Sequence, residues 1–228
     1  MAGTTKSGSR NVLYIVIGVI VVAALVGWAI AMFRGGGSGT STAGNYPVAL
    51  EGAVVVAGKK APNTVDVYED LLCPICGRFE SSYGGDLTKA INDGKIQVRY
   101  HPVAILNRLT TPPGYSQRAA NAVVCSAEAG VFSAYHEKLY AEQPKERSAG
   151  YTDQQLIEMA QQVKAPASFA QCVTSSKHLR AVQVETQRAG GDASLRAPGR
   201  DSFGTPTIMV NGKRADLGDD NWLKNITK

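Results

Sequence analysis

The sequence predicts an α/β domain with a large helical insertion, preceded by a single N-terminal transmembrane helix. Three observations predict it. Two short strands, one ending near Tyr68 and one covering Thr207 to Val210, stand next to Cys73-Pro74-Ile75-Cys76 and Gly204-Thr205-Pro206. Pro206 follows Cys76 by 130 positions, and most of that interval reads as helix. Val12 to Phe33 is 22 residues without a charge.

Residues 1–11 form a polar tail with Lys6 and Arg10. As a helix, 12–33 spans about 33 Å, enough to cross a bilayer core. A core helix would show a polar face, and this one shows none. The competing reading is a cleaved signal peptide with Ala29-Ile30-Ala31 as its A-x-A site, for which the apolar run is long. Trp28 suits the outer interface. Two basic residues precede the span and only Arg34 closely follows it, which puts the N-terminus in the cytoplasm and the C-terminal domain outside the cell membrane. Residues 34–45, rich in Gly, Ser and Thr, read as a flexible linker. The folded domain is expected over 46–228.

Within it, Ala53 to Ala57 reads as a first strand and Asn63 to Glu69 as a second. Ile96 to Tyr100 reads as a third, parallel to the second through the helix after Cys76. Helices are expected at Tyr115–Ala129, after a Thr152 cap, at Ala167–Cys172 and at Leu179–Ala189, within an insertion of about 107–195. Asn211-Gly212 signals a hairpin. Asp219 to Ile226 reads as a short closing helix capped by its aspartate.

The chemistry gathers at Cys73 and Cys76. A helix N-terminus offers unpaired N–H groups and partial positive charge, which favour a thiolate. Cys73, at the tip, is expected to be exposed and acidic; Cys76, one turn on, can close a disulfide with it. Pro74 suits the first helical position. The other reading is half of a zinc site, but zinc needs four ligands. Cys125 and Cys172 have no partner at ligand spacing, and His101, His136 and His178 are scattered, so no metal site is expected.

With Thr205-Pro206 opening a strand, the chain resembles the thioredoxin superfamily. The helical block, and Val65 to Cys76 read as Val-Asp-Val-Tyr-Glu-Asp-Leu-Leu-Cys-Pro-Ile-Cys, make it similar to membrane-anchored, actinobacterial DsbA-like thiol:disulfide oxidoreductases. The resemblance covers about four fifths of the chain. It implies a thioredoxin fold, a cis Pro206 and a Thr205 that faces the sulfurs and pairs its backbone with substrate. It also implies an enzyme with Cys73 and Cys76 as its redox pair, oxidising reduced secreted or cell-envelope proteins. A membrane oxidase of DsbB or vitamin K epoxide reductase (VKOR) type would recycle it, with no cofactor in the chain itself.

On the residues alone, Cys125 and Cys172 are either cross-linked or buried free thiols; the resemblance implies a structural disulfide between them. Two departures stand out. Ile75 occupies the place of a histidine in strongly oxidising relatives, which predicts a less oxidising couple. Val67 occupies the place of a buried acid that relays protons to the inner cysteine; Glu69 and Asp70 are the nearby candidates, at least one expected on the solvated surface. The alternatives are an isomerase or reductase using the same dithiol, and a non-enzymatic anchored module with C-x-x-C as a clip. No dimerisation domain precedes the dithiol, so a monomer is expected. Setting aside Lys6, Arg10 and Arg34 leaves 21 basic against 19 acidic side chains, and no basic run carries interleaved aromatics, so nucleic acid is not an expected partner.

Overall fold

The computed structural model describes residues 44–228. The expected tail, the anchor over 12–33 and nearly all of the linker lie outside the described residues. Among the described residues no helix is long and apolar enough to cross a membrane.

A six-stranded sheet organises the domain, in the order β1-β2-β4-β3-β5-β6. Its strands are β1 (Val48–Glu51), β2 (Val54–Ala57), β3 (Asn63–Glu69), β4 (Ile96–Pro102), β5 (Thr207–Val210) and β6 (Lys213–Arg214). Central β3 pairs parallel with β4 and antiparallel with β5, so Val67 lies opposite both Tyr100 and Ile208. The parallel pair is joined by α1 (Pro74–Asn92), as its spacing predicts. Asn211 and Gly212 both have positive φ, 50° and 76°, and turn β5 into β6.

Alternation along β3 assigns its two faces. Val65 and Val67 point into the main core, which includes Phe79 and Leu87 of α1. Asp66 and Tyr68 point the other way. There Tyr68 joins Val103, Ala189, Leu195, Phe203 and Met209 in a second apolar cluster.

The insertion contributes α2 (Tyr115–Glu128), α3 (Phe132–Ala141), α4 (Asp153–Gln162), α5 (Ala167–Thr174) and α6 (Leu179–Gly191). Helix α2 is buried nearly all round, small alanines letting its neighbours approach closely, and it takes Ser116, Asn121 and Ser126 inside with it. Helix α4 begins with a capping box: Thr152 Oγ1 accepts from the Gln155 N–H at 3.3 Å, and Gln155 Oε1 accepts from the Thr152 N–H at 2.9 Å.

Three expectations change. The first strand is a hairpin, since β1 precedes β2 across Gly52, whose φ of 65° suits the turn. Helix α3 has no counterpart among the expected elements. The closing helix α7 (Trp222–Ile226) starts at Asn221 with no side-chain cap, because Asp219 Oδ1 instead accepts the Asn221 N–H in the turn before it.

Candidate active site

The turn between β3 and α1 is built by Asp70. Its carboxylate accepts the Leu72 N–H at 3.0 Å and the Leu106 N–H at 2.9 Å, and its carbonyl accepts the Cys73 N–H at 2.9 Å. That fold-back delivers Cys73 to the N-cap of α1, with Pro74 at the first helical position. From the insertion, Gln143 Nε2 donates to the carbonyls of Leu71 and Cys73, at 3.0 Å each.

Both Cys73 and Cys76 are thiols here. Cys73 is not exposed as expected: it is 5% accessible, because the Thr205 loop covers it, with the Thr205 carbonyl oxygen 3.3 Å from its Sγ, a contact in which only the protonated thiol can donate. The Thr205–Pro206 peptide is cis, as the resemblance implied, and Thr205 does face the pair. Its buried hydroxyl has no partner in good hydrogen-bonding geometry, yet lies near enough to favour thiolate at both sulfurs.

The two sulfurs are driven apart. A hydrogen bond from the Cys76 thiol, against the cost of burial and with help from Thr205 and the N–H groups of Cys76 and Ile75, brings the Cys73 pKa down to about 6. Burial, then the neighbouring Cys73, pushes the Cys76 pKa far above the ordinary range. A Cys73 thiolate beside a protonated Cys76 is therefore the resting reduced state at neutral pH. Alkylation of Cys73 is expected to level off above its pKa and to slow about tenfold for each pH unit below it. A midpoint near the free-cysteine value of about 8.5 would contradict this electrostatic account.

Glu69 and Asp70 are both buried, against the expectation that at least one is solvated. Asp70 is fully enclosed, and burial raises its pKa to about 6 despite the N–H groups it accepts. Its own N–H faces the Cys76 sulfur. Glu69 follows Val65 and Val67 on the core face of β3 and meets α3. Its Oε1 lies 2.7 Å from His136 Nε2, and its Oε2 accepts from the Tyr140 hydroxyl at 3.2 Å. On the far side, His136 Nδ1 is 3.5 Å from Glu80 Oε1, and Glu80 lies one helical turn beyond Cys76. Burial opposes a charge on His136, but the two carboxylates outweigh it and push its pKa up to about 10.

Sequence reasoning missed Gln143, His136, Tyr140 and Glu80. The i, i+4 spacing of Cys76 with Glu80, and of His136 with Tyr140, was the available signal. Nothing local marks Gln143. The histidines read as scattered all have acidic neighbours: His101 lies 2.7 Å from Glu185 and 3.0 Å from Asp66, and His178 lies 2.9 Å from Glu128. Cys125 and Cys172 form a disulfide, as the resemblance implied.

A dithiol at a helix N-terminus, facing a cis-proline loop across a mixed sheet, defines the class: a protein thiol–disulfide oxidoreductase. Residues 50–228 match the family model Thioredoxin_4, described as thioredoxin, and the chain belongs to that thioredoxin family. It is 30% identical over 183 residues to the serine/threonine-protein kinase PknE of Mycobacterium tuberculosis, covering 78% of this chain and 32% of PknE. The chain thus spans about a third of the length of that curated relative. Among solved structures it is similar to oxidised M. tuberculosis DsbA, with 26% identity, a TM-score of 0.60, and coverage of 75% of this chain and 85% of that one. Its fold is also like that of MdbA, a thiol-disulfide oxidoreductase from Corynebacterium diphtheriae, at 20% identity and a TM-score of 0.67, covering 84% of this chain and all of the other (100%).

Proposed function

We propose that this chain is an extracytoplasmic oxidase that introduces disulfides into secreted or cell-envelope proteins through Cys73 and Cys76, tethered to the cell membrane by residues 12–33. The observation that carries the reading is the placement of Cys73 at the N-cap of α1, its Sγ 3.3 Å from the carbonyl of the cis Thr205–Pro206 loop, with Cys76 one turn further in; the opposed acidity of the two sulfurs agrees with it. In the oxidised enzyme a client thiolate attacks Cys73 Sγ, the Cys73–Cys76 bond breaks, and Cys76 leaves and takes up a proton. A second client thiolate then attacks the client sulfur of the mixed disulfide. Cys73 leaves as a thiolate, which its low pKa makes easy, and two electrons have passed from client to enzyme.

Asp70, with its raised pKa beside the pair, is the residue we assign to proton exchange with Cys76. Glu69 is held instead by His136 and Tyr140, so of the two candidates Asp70 takes the relay. The Thr205 and Pro206 segment holds the client's backbone, which suits clients of varied sequence. A membrane oxidase of DsbB or VKOR type returns the electrons to quinone, and the chain works as a monomer without a cofactor.

A Cys76→Ser variant is expected to accumulate mixed disulfides with reduced clients on Cys73, whereas Cys73→Ser should accumulate few. If neither variant traps a client, the pair is only a structural clip. Equilibration of the wild type with glutathione tests direction: a potential near that of cytosolic reductants would favour the reductase reading. The exposed Ile75 gives Cys73 only its backbone N–H. Ile75→His should make the couple more oxidising, by about tenfold in equilibrium constant for each unit by which the Cys73 pKa falls. An unchanged or more reducing couple would refute that role for position 75.

A further inference from the structure

The Cys125–Cys172 disulfide sits in a polar cluster that a purely structural bond does not need. One ligand atom from each of Cys125, Cys172 and His178 lies within 4.8 Å of the others. Glu128, three residues after Cys125 on α2, places Oε2 2.9 Å from His178 Nε2 and 3.8 Å from Cys172 Sγ, while its Oε1 pairs with Lys177. The backbone here is pinned. Buried Asn121 accepts the His178 N–H at 2.8 Å, and the Cys172 carbonyl accepts the Lys177 N–H at 3.1 Å. Glu128 and Lys177 reach solvent, so the cluster has an open side.

Two thiols, an imidazole and a carboxylate make a zinc donor set. Zinc–sulfur bonds of about 2.3 Å in a tetrahedron put two sulfurs roughly 3.7 Å apart. The two Cα atoms stand 5.8 Å apart, so side-chain rotation is enough to reach that spacing once the bond is open. Two thiolates and Glu128 around a dication leave one net negative charge, and Lys177 is already beside it.

We propose that the disulfide and a zinc site are alternative states of this cluster: oxidised, Cys125 and Cys172 are bonded to each other; reduced, Cys125, Cys172, His178 and Glu128 hold one Zn²⁺. A dithiol reductant attacks Cys172, the more accessible of the two residues. The Cys125–Cys172 bond breaks, the reductant closes its own disulfide, and its two electrons and two protons leave two thiols on the protein. Zn²⁺ then displaces both thiol protons and takes a lone pair from neutral His178 and from Glu128. This inference is independent of the reaction at Cys73.

The test uses the full chain with Cys73→Ser and Cys76→Ser, so that Cys125 and Cys172 are its only cysteines. Zn²⁺ is titrated against a chromophoric chelator before and after reduction with a phosphine, and Co²⁺ is used to read the coordination spectrum. The reduced protein should bind one equivalent, with thiolate-to-cobalt charge transfer and tetrahedral bands, and the oxidised protein none. His178→Ala should weaken the reduced protein's affinity by about tenfold or more. A folded, reduced protein that takes up no Zn²⁺ would overturn the proposal, as would His178→Ala binding as tightly as its parent. If reduction unfolds the chain, circular dichroism decides: refolding on adding Zn²⁺ supports the site, and no refolding overturns it.

Discussion

His136→Ala is expected to destabilise the domain by about 3–5 kcal/mol, because it strips the cation from between buried carboxylates. Glu69 and His136 are each about 3% accessible and Glu80 is 14%, so water cannot take over the lost interactions. The Tyr140 hydroxyl would be the remaining partner of Glu69. Urea unfolding at neutral pH measures the loss, and adding Glu69→Gln to His136→Ala should recover part of it by removing a stranded charge. A loss below about 1 kcal/mol, typical of an exposed pair, would show that the triad is not a buried ion cluster. The pH dependence has a definite sign. The folded pKa of His136, about 10, lies above its ordinary value of 6.5. Its contribution is therefore complete below pH 6.5 and declines as pH rises toward 10; the His136→Ala variant should lack that decline.

Removing the second disulfide with Cys125→Ala and Cys172→Ala is expected to cost ~4 kcal/mol, the loop-closure value for a separation of 47 residues. For a domain of this size that lowers the melting temperature by about 8–16 °C. The bond joins α2 to α5, and α5 is only eight residues long, too short to hold itself together without its neighbours. Calorimetry of the double variant against wild type, both with Cys73 and Cys76 reduced, isolates the effect. A drop of less than about 3 °C would mean that packing between α2 and α5 suffices alone.

Local signals made much of this domain legible. The β-branched alternation of β3, the proline at the start of α1, the Thr152 capping box and Asn211-Gly212 each act within a few residues, and each element formed where it was expected. Strand β1 was missed because Val-Ala-Leu-Glu is short and its burial depends on pairing with β2. Helix α3 was missed because half its character comes from His136 and Tyr140, polar groups that belong inside only because Glu69 is there, 67 and 71 positions away. Glu69 itself was within reach, since alternation from Val65 and Val67 already assigned its face. Asp70 was legible only as an acid close to the dithiol; its enclosure follows from the Leu106 segment folding over it. The dithiol was legible in the sequence, while the burial of Cys73 was not, because its cover arrives from Thr205 at the other end of the chain.

Gln143 grips the main chain at Leu71 and Cys73, both upstream of the two residues between the sulfurs. The side chains of Pro74 and Ile75 project into water. The shape of the loop and its electrochemistry are therefore separable properties. A substitution at Ile75 is thus free to shift the midpoint potential while the contacts that shape the loop stay in place.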